Sequence, residues 1–158
     1  MYKKGDRIVY PLYGAGIIEE LEDKDIDGQM LTYYVLTIPV GGLTIKISAA
    51  KAESLGVRPI LPKDKVLGEL SSIISINVDM PDNWNLRYKE NMDRIKTGEL
   101  SQVAIVFRSL LIRERERGLS TAEKKMMTTT KQIILSELIL SLGVDRVRAE
   151  EILAETFQ

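Results

Sequence analysis

The hydrophobic period of this chain changes at a pair of prolines, Pro59 and Pro62, and nothing else in it constrains the fold as strongly. Ahead of the prolines, short β-branched and aromatic runs are punctuated by glycines. Asp6 to Tyr10 ends at Pro11, and Ala15 to Leu21 follows the Gly14/Gly16 turn. Gly28 turns the chain into Leu31 to Val40, and Gly41-Gly42 separates that run from Leu43 to Ile47. Short strands joined by glycine turns predict an antiparallel meander, and one this small is expected to close into an SH3- or Tudor-like β-barrel. In the last run Leu43, Ile45 and Ile47 share one face and Thr44 and Lys46 the other, so Lys46 points outward. Ser48 to Leu55 reads as one helical turn and Gly56 to Ile60 as a closing extended piece.

Behind the prolines the period becomes helical. Val66, Leu67, Leu70, Ile73 and Ile74 recur at three- and four-residue spacing after Pro62, which suits a first helical position. Asp82 or Asn83 caps a second helix running to Thr97-Gly98, and a third spans Glu99 to Arg117 and stops at Gly118. Ser120-Thr121-Ala122-Glu123 is a capping box opening a fourth helix that ends at Gly143, and Asp145 caps a fifth ending near Thr156. The expected fold class is therefore α+β. A small β domain over residues 1–60 precedes a compact five-helix domain over residues 61–158.

Cysteine and histidine are both absent, which removes thiol chemistry, the commonest general base and the commonest transition-metal ligand. The chain is expected to be a non-enzyme without cofactor, metal or small-molecule substrate. No apolar run approaches the length of a membrane span and the first residues lack a signal-peptide apolar block, so a cytoplasmic location with no membrane partner is expected. The run Ile133 to Leu142 is interrupted by Ser136, Glu137 and Ser141 and reads as a core helix. The net charge of −1 gives no general affinity for polyanions, yet residues 84–131 hold eleven basic against six acidic side chains, a local surplus of +5.

Within that basic segment stands the lone tryptophan, Trp84, at the first turn of the second helix. Two readings fit. The ring folds under the preceding loop as a hydrophobic staple, or it stands exposed beside Arg87 and Lys89 and stacks on or wedges between bases. The alternating Arg113 to Arg117 run compensates itself at a helix end, whereas Lys124 and Lys125 sit near a helix start against the dipole preference and point to an anionic partner. Ser120 and Lys124 do not have catalytic S-x-x-K spacing, and Gly41-Gly42 opens no phosphate loop. The acids Glu19, Glu20, Glu22, Asp23, Asp25 and Asp27 lack the order of a calcium loop and read as solvated surface.

Four segments, taken in order, resemble the CarD family of bacterial RNA polymerase-binding regulators (the CarD/CdnL/TRCF group). They are GDRIVYPLYGAG (Gly5 to Gly16), LTIKI leading to SLGVR (Ser54 to Arg58), NWNLRYKENMDRIKTGE (Asn83 to Glu99) and RERERGLSTAEKKMM (Arg113 to Met127). The resemblance spans the whole chain. It implies a Tudor-like domain that binds the polymerase β subunit, and a helical domain that contacts promoter DNA at the upstream edge of the bubble. The family tryptophan matched by Trp84 wedges into the minor groove at that fork and stabilises the open complex, largely independently of sequence. DNA contacts fall on Arg87, Lys89 and Lys124, with the adjacent Lys125 added from its charge. Polymerase contacts fall on Lys24, Ile26 and Lys46. The family often carries arginine where this chain has Lys24 and Lys46, so the charge is kept and the bidentate fork onto a carboxylate is lost. The alternative is an adaptor of the transcription machinery that binds proteins without touching DNA.

Overall fold

The glycine-punctuated first third folds as five antiparallel strands, and the computed structural model describes every residue from 1 to 158. Strands β1 (Arg7–Tyr10), β2 (Gly14–Ile26), β3 (Gln29–Ile38), β4 (Leu43–Ser48) and β5 (Arg58–Pro59) run in the order β4-β3-β2-β1-β5. The two end strands do not pair with each other, so the expected barrel is realised as an open, five-stranded sheet. β2 continues five residues beyond the expected Leu21, because Asp27 and Gly28 (φ 53° and 81°) form the two-residue turn whose twist matches a hairpin. That turn pairs Ile26 with Gln29, and a bulge between Ile18 and Glu20 sets the outer arm apart from the inner strand. Ile8, Ile18, Tyr34, Leu36 and Ile47 fill the inner face, and the Tyr34 hydroxyl accepts from the Tyr2 amide at 3.0 Å.

The remainder forms α1 (Lys63–Ser72), α2 (Trp84–Lys96), α3 (Leu100–Arg117), α4 (Thr121–Leu142) and α5 (Arg146–Thr156). Pro62 stands one position earlier than expected, as the N-cap of α1. Asn83, Ser120 and Asp145 each accept a hydrogen bond from the amide three residues on, so three of the expected caps form as such. Gly143 ends α4 in the left-handed conformation (φ 67°). A larger core of α1, α3, α4 and α5 side chains, centred on Leu70, Leu110, Ile134 and Leu138, lies among them. No helix is long and apolar enough to cross a membrane.

The sheet and the segment that leaves it are joined to the bundle through α4, by the three polar residues that interrupt its apolar run. The buried Ser136 hydroxyl accepts from the Ala15 amide at 2.8 Å, and a Cβ on Gly14 (φ 119°) would stand 2.7 Å from that oxygen. Glu137 is 1% exposed. Its two carboxylate oxygens take both terminal nitrogens of Arg58 at 2.8 Å, and one also accepts from the Leu61 amide at 2.8 Å. Arg58 further donates to the Gly98 carbonyl, while Ser141 donates to the Leu61 carbonyl at 2.7 Å. Arg7 closes the seam with a hydrogen bond to the Leu140 carbonyl, beside a small apolar cluster of Val9, Ala15 and Leu140.

A buried carboxylate that satisfies three donors leaves an uncompensated cation behind when it is removed. Glu137→Ala is expected to lower the unfolding free energy by about 3–5 kcal/mol, read from urea denaturation.

Candidate functional site

Arg87 anchors the end of the bundle where α2 and α4 both begin. The side chain is 3% exposed and spends its donors inward. Nε and Nη2 reach the two oxygens of Glu123 at 2.8 and 3.3 Å, and Nη1 donates to the carbonyls of Pro81 and Asp82 at 3.1 and 3.0 Å. Arg87 was expected among the DNA contacts, and this is corrected here because the side chain is buried. Its geometry ties the loop before α2 to the first turn of α4, and it presents no free fork to solvent. Glu123 is 3% exposed, and Arg113 approaches it at 4.0 Å as a second cation. The Arg87 guanidinium holds the Glu123 carboxyl below its ordinary value of 4.5, against the opposing push of desolvation and with help from Ser120.

On this foundation Trp84 stands 42% exposed, so the staple reading does not apply. Its indole N–H donates to the Ser120 hydroxyl at 3.2 Å. Tyr88, one helical turn along α2, stacks on one face with centroids 5.3 Å apart and planes 18° from parallel. The ring is thus pinned at its one polar atom and backed by Tyr88, with 42% of the residue left exposed. Lys89 is exposed and pairs with Asp93 at 2.8 Å within α2, a bond that raises its pKa. Lys124 and Lys125 are exposed in the first turns of α4, just beyond the Ser120 cap that holds the ring. The structure therefore groups Trp84, Lys124 and Lys125 at one end of the bundle and puts Lys89 one turn along α2. A neighbouring cleft of about 530 Å³ includes Arg108, Arg113 and Arg117, but Asp79, Asp82 and Glu116 share its wall, so it lacks an anion-attracting surplus.

A second surface lies on the sheet. The antiparallel register sets Glu20 beside Val35 and Val35 beside Lys46, and Lys24 beside Leu31. With side chains alternating between faces, Lys24, Ile26 and Lys46 share the sheet face opposite the core. Ile26 is exposed on the outer arm. Neither lysine is free of neighbours. Lys46 pairs with Glu22 at 2.8 Å, and the Lys24 ammonium lies 5.7 Å from the centre of the Tyr33 ring. β4, which carries Lys46, is an edge strand with its outer backbone groups unpaired. No group of three or more carboxylates converges as a metal site.

Three participants escape a reading of the sequence. The S-x-x-E box marks Ser120 and Glu123 as a cap, and gives no sign that their side chains also serve Trp84 and Arg87. The spacing of Trp84 and Tyr88, four apart on a helix, was the available signal for the stacked pair.

Comparison with known proteins agrees with this layout. Residues 2–61 match the model described as the CarD-like/TRCF RID domain, a polymerase-interacting module, and residues 70–154 match the CarD C-terminal domain. A protein of Bacillus subtilis (strain 168) named "Putative transcription factor YdeB" is 36% identical over 148 residues, covering 91% of this chain and 94% of that one.

Removing one partner of the buried Arg87–Glu123 pair strands the other. Arg87→Ala is expected to lower stability by about 3–5 kcal/mol in urea unfolding, whereas Lys89→Ala should leave the midpoint in place. The folded pKa of Glu123 lies below its unfolded value, so the pair contributes fully above pH 4.5 and loses its contribution as pH falls through the folded value. Thermal midpoints measured down the acid range should fall more steeply for the natural chain than for Glu123→Gln.

Proposed function

Because the chain belongs to the CarD-like family of transcription regulators, we propose that it binds the RNA polymerase β subunit and stabilises the open promoter complex by wedging Trp84 into the upstream fork of the bubble. Residues 1–60 serve as the polymerase-interacting domain and residues 61–158 as the DNA-binding domain. The observation that carries this reading is the partly exposed indole held at the Ser120 cap of α4, the helix whose first turns carry the exposed cations Lys124 and Lys125. An aromatic face stacked on an unpaired base contributes ~1–3 kcal/mol. Applied only to the melted state, that shifts a closed–open equilibrium by roughly 5- to 150-fold.

Lys124, Lys125 and, after release from Asp93, Lys89 add phosphate contacts that position the protein without reading sequence. Arg87 acts beneath them by holding the loop and helix starts in place. With a net charge of −1 the chain binds free DNA weakly, so docking on polymerase supplies the effective concentration. The docking face is Lys24, Ile26 and Lys46, where a polymerase carboxylate competes with Glu22 for Lys46. The work takes place in the cytoplasm, and no catalytic step is involved.

Trp84→Ala is expected to retain polymerase in a pull-down and to lose the prolonged open-complex lifetime measured by competitor challenge. A wild-type lifetime in that variant discards the wedge.

A further inference from the structure

The Ser120 hydroxyl has one proton and two acceptor sites, and the structure uses all three. It donates to Glu123 Oε1 at 3.1 Å, accepts from the Glu123 amide at 3.2 Å as the cap of α4, and accepts from the Trp84 indole N–H at 3.2 Å. Glu123 is in turn locked by Arg87 through both carboxylate oxygens. A continuous chain of hydrogen bonds therefore runs from a buried ion pair to the edge of the exposed ring. Capping a helix requires only the bond to the Glu123 amide. The bond to the indole joins two helices whose residues lie 36 apart in sequence.

From this geometry we infer that Ser120 is the positioning residue of the Trp84 wedge, with Glu123 directing the Ser120 hydroxyl proton inward so that an oxygen lone pair faces the indole. The inference rests on the wedge reading above. Without the Ser120 acceptor, an exposed tryptophan at a helix start is free to rotate about its side-chain bonds, and ordering it at the fork opposes insertion. With it, the indole is held edge-inward against Tyr88 before DNA arrives. A second consequence follows from the same bond. The indole has one hydrogen-bonding group, a donor, and it is already committed to Ser120. The part of the ring offered to the fork is then apolar and cannot distinguish bases by hydrogen bonding.

The test compares Ser120→Ala, which removes the acceptor, with Ser120→Thr, which keeps both the acceptor and the cap. The indole N–H resonance and its exchange with water are read first on the full-length ¹⁵N-labelled protein without DNA. Open-complex lifetimes with polymerase and promoter DNA are read second. Ser120→Ala is expected to shift the resonance, speed its exchange and shorten the lifetime about fivefold, the equivalent of one net hydrogen bond. Ser120→Thr should restore both. In a Trp84→Phe background, which has no N–H to hold, Ser120→Ala should produce no further loss. An unshifted indole resonance in Ser120→Ala overturns the inference, and so does a fivefold loss that persists beside Phe, since Ser120 would then act as a cap alone. A normal lifetime in Trp84→Ala removes the wedge reading and the inference with it. The DNA-free resonance distinguishes that failure from a ring that was never held.

Discussion

Two enclosed carboxylates on one helix hold this molecule together. Glu123 and Glu137 both belong to α4, and each is paired with an arginine from a distant part of the chain. A charge taken out of water is stable only when its partners are in place, so each pair admits one arrangement of the segments that contribute to it. The Arg58–Glu137 pair requires the closing strand of the sheet to lie against α4, with the turn after α2 beside it through Gly98. The Arg87–Glu123 pair requires the loop and first turn of α2 to lie against the start of α4. What surrounds these pairs is apolar packing, which favours burial without choosing a register.

The function follows from this division of labour between buried and exposed charge. Arg87 is buried and Arg58 partly so, each where a planar fork satisfies a carboxylate and nearby carbonyls at once. Lysines 24, 46, 89, 124 and 125 are at the surface, where a flexible ammonium can exchange one anion for another. Lys46 and Lys89 are held by local carboxylates at 2.8 Å, so a partner must displace Glu22 or Asp93 to engage them. Exposed pairs of this kind are weak, which suits contacts that form and break.

Local structure was legible in the sequence because its causes are local. The caps Asn83, Ser120 and Asp145, the stop at Gly143 and the Asp27-Gly28 turn each rest on chemistry within a few residues. The antiparallel strands and the five helices follow from period alone, whereas the sheet's failure to close into a barrel does not. Pairings at long separation were not legible. Arg87 looks like any surface cation of an amphipathic helix, and only the fold brings Glu123 to it from 36 residues away. The exposure of Trp84 could not be decided for the same reason, since both readings depend on what packs over the loop. One signal was present and went unread. Ser136, Glu137 and Ser141 break an otherwise apolar run, and those three side chains bind the sheet and the segment that leaves it. A polar residue set into a buried stripe announces a partner even when the partner is unknown.

The spacing of the two carboxylates makes α4 a ruler. Fourteen residues separate them, about 21 Å along the axis and within about 40° of the same side. The aromatic tip and the sheet are thereby held at a set separation and a set phase. One residue inserted between them would lengthen the ruler by about 1.5 Å and rotate one end against the other by about 100°. A loop that bonds neither arginine, such as the Asp27-Gly28 turn, can change length without consequence for this alignment, but the span between Glu123 and Glu137 cannot.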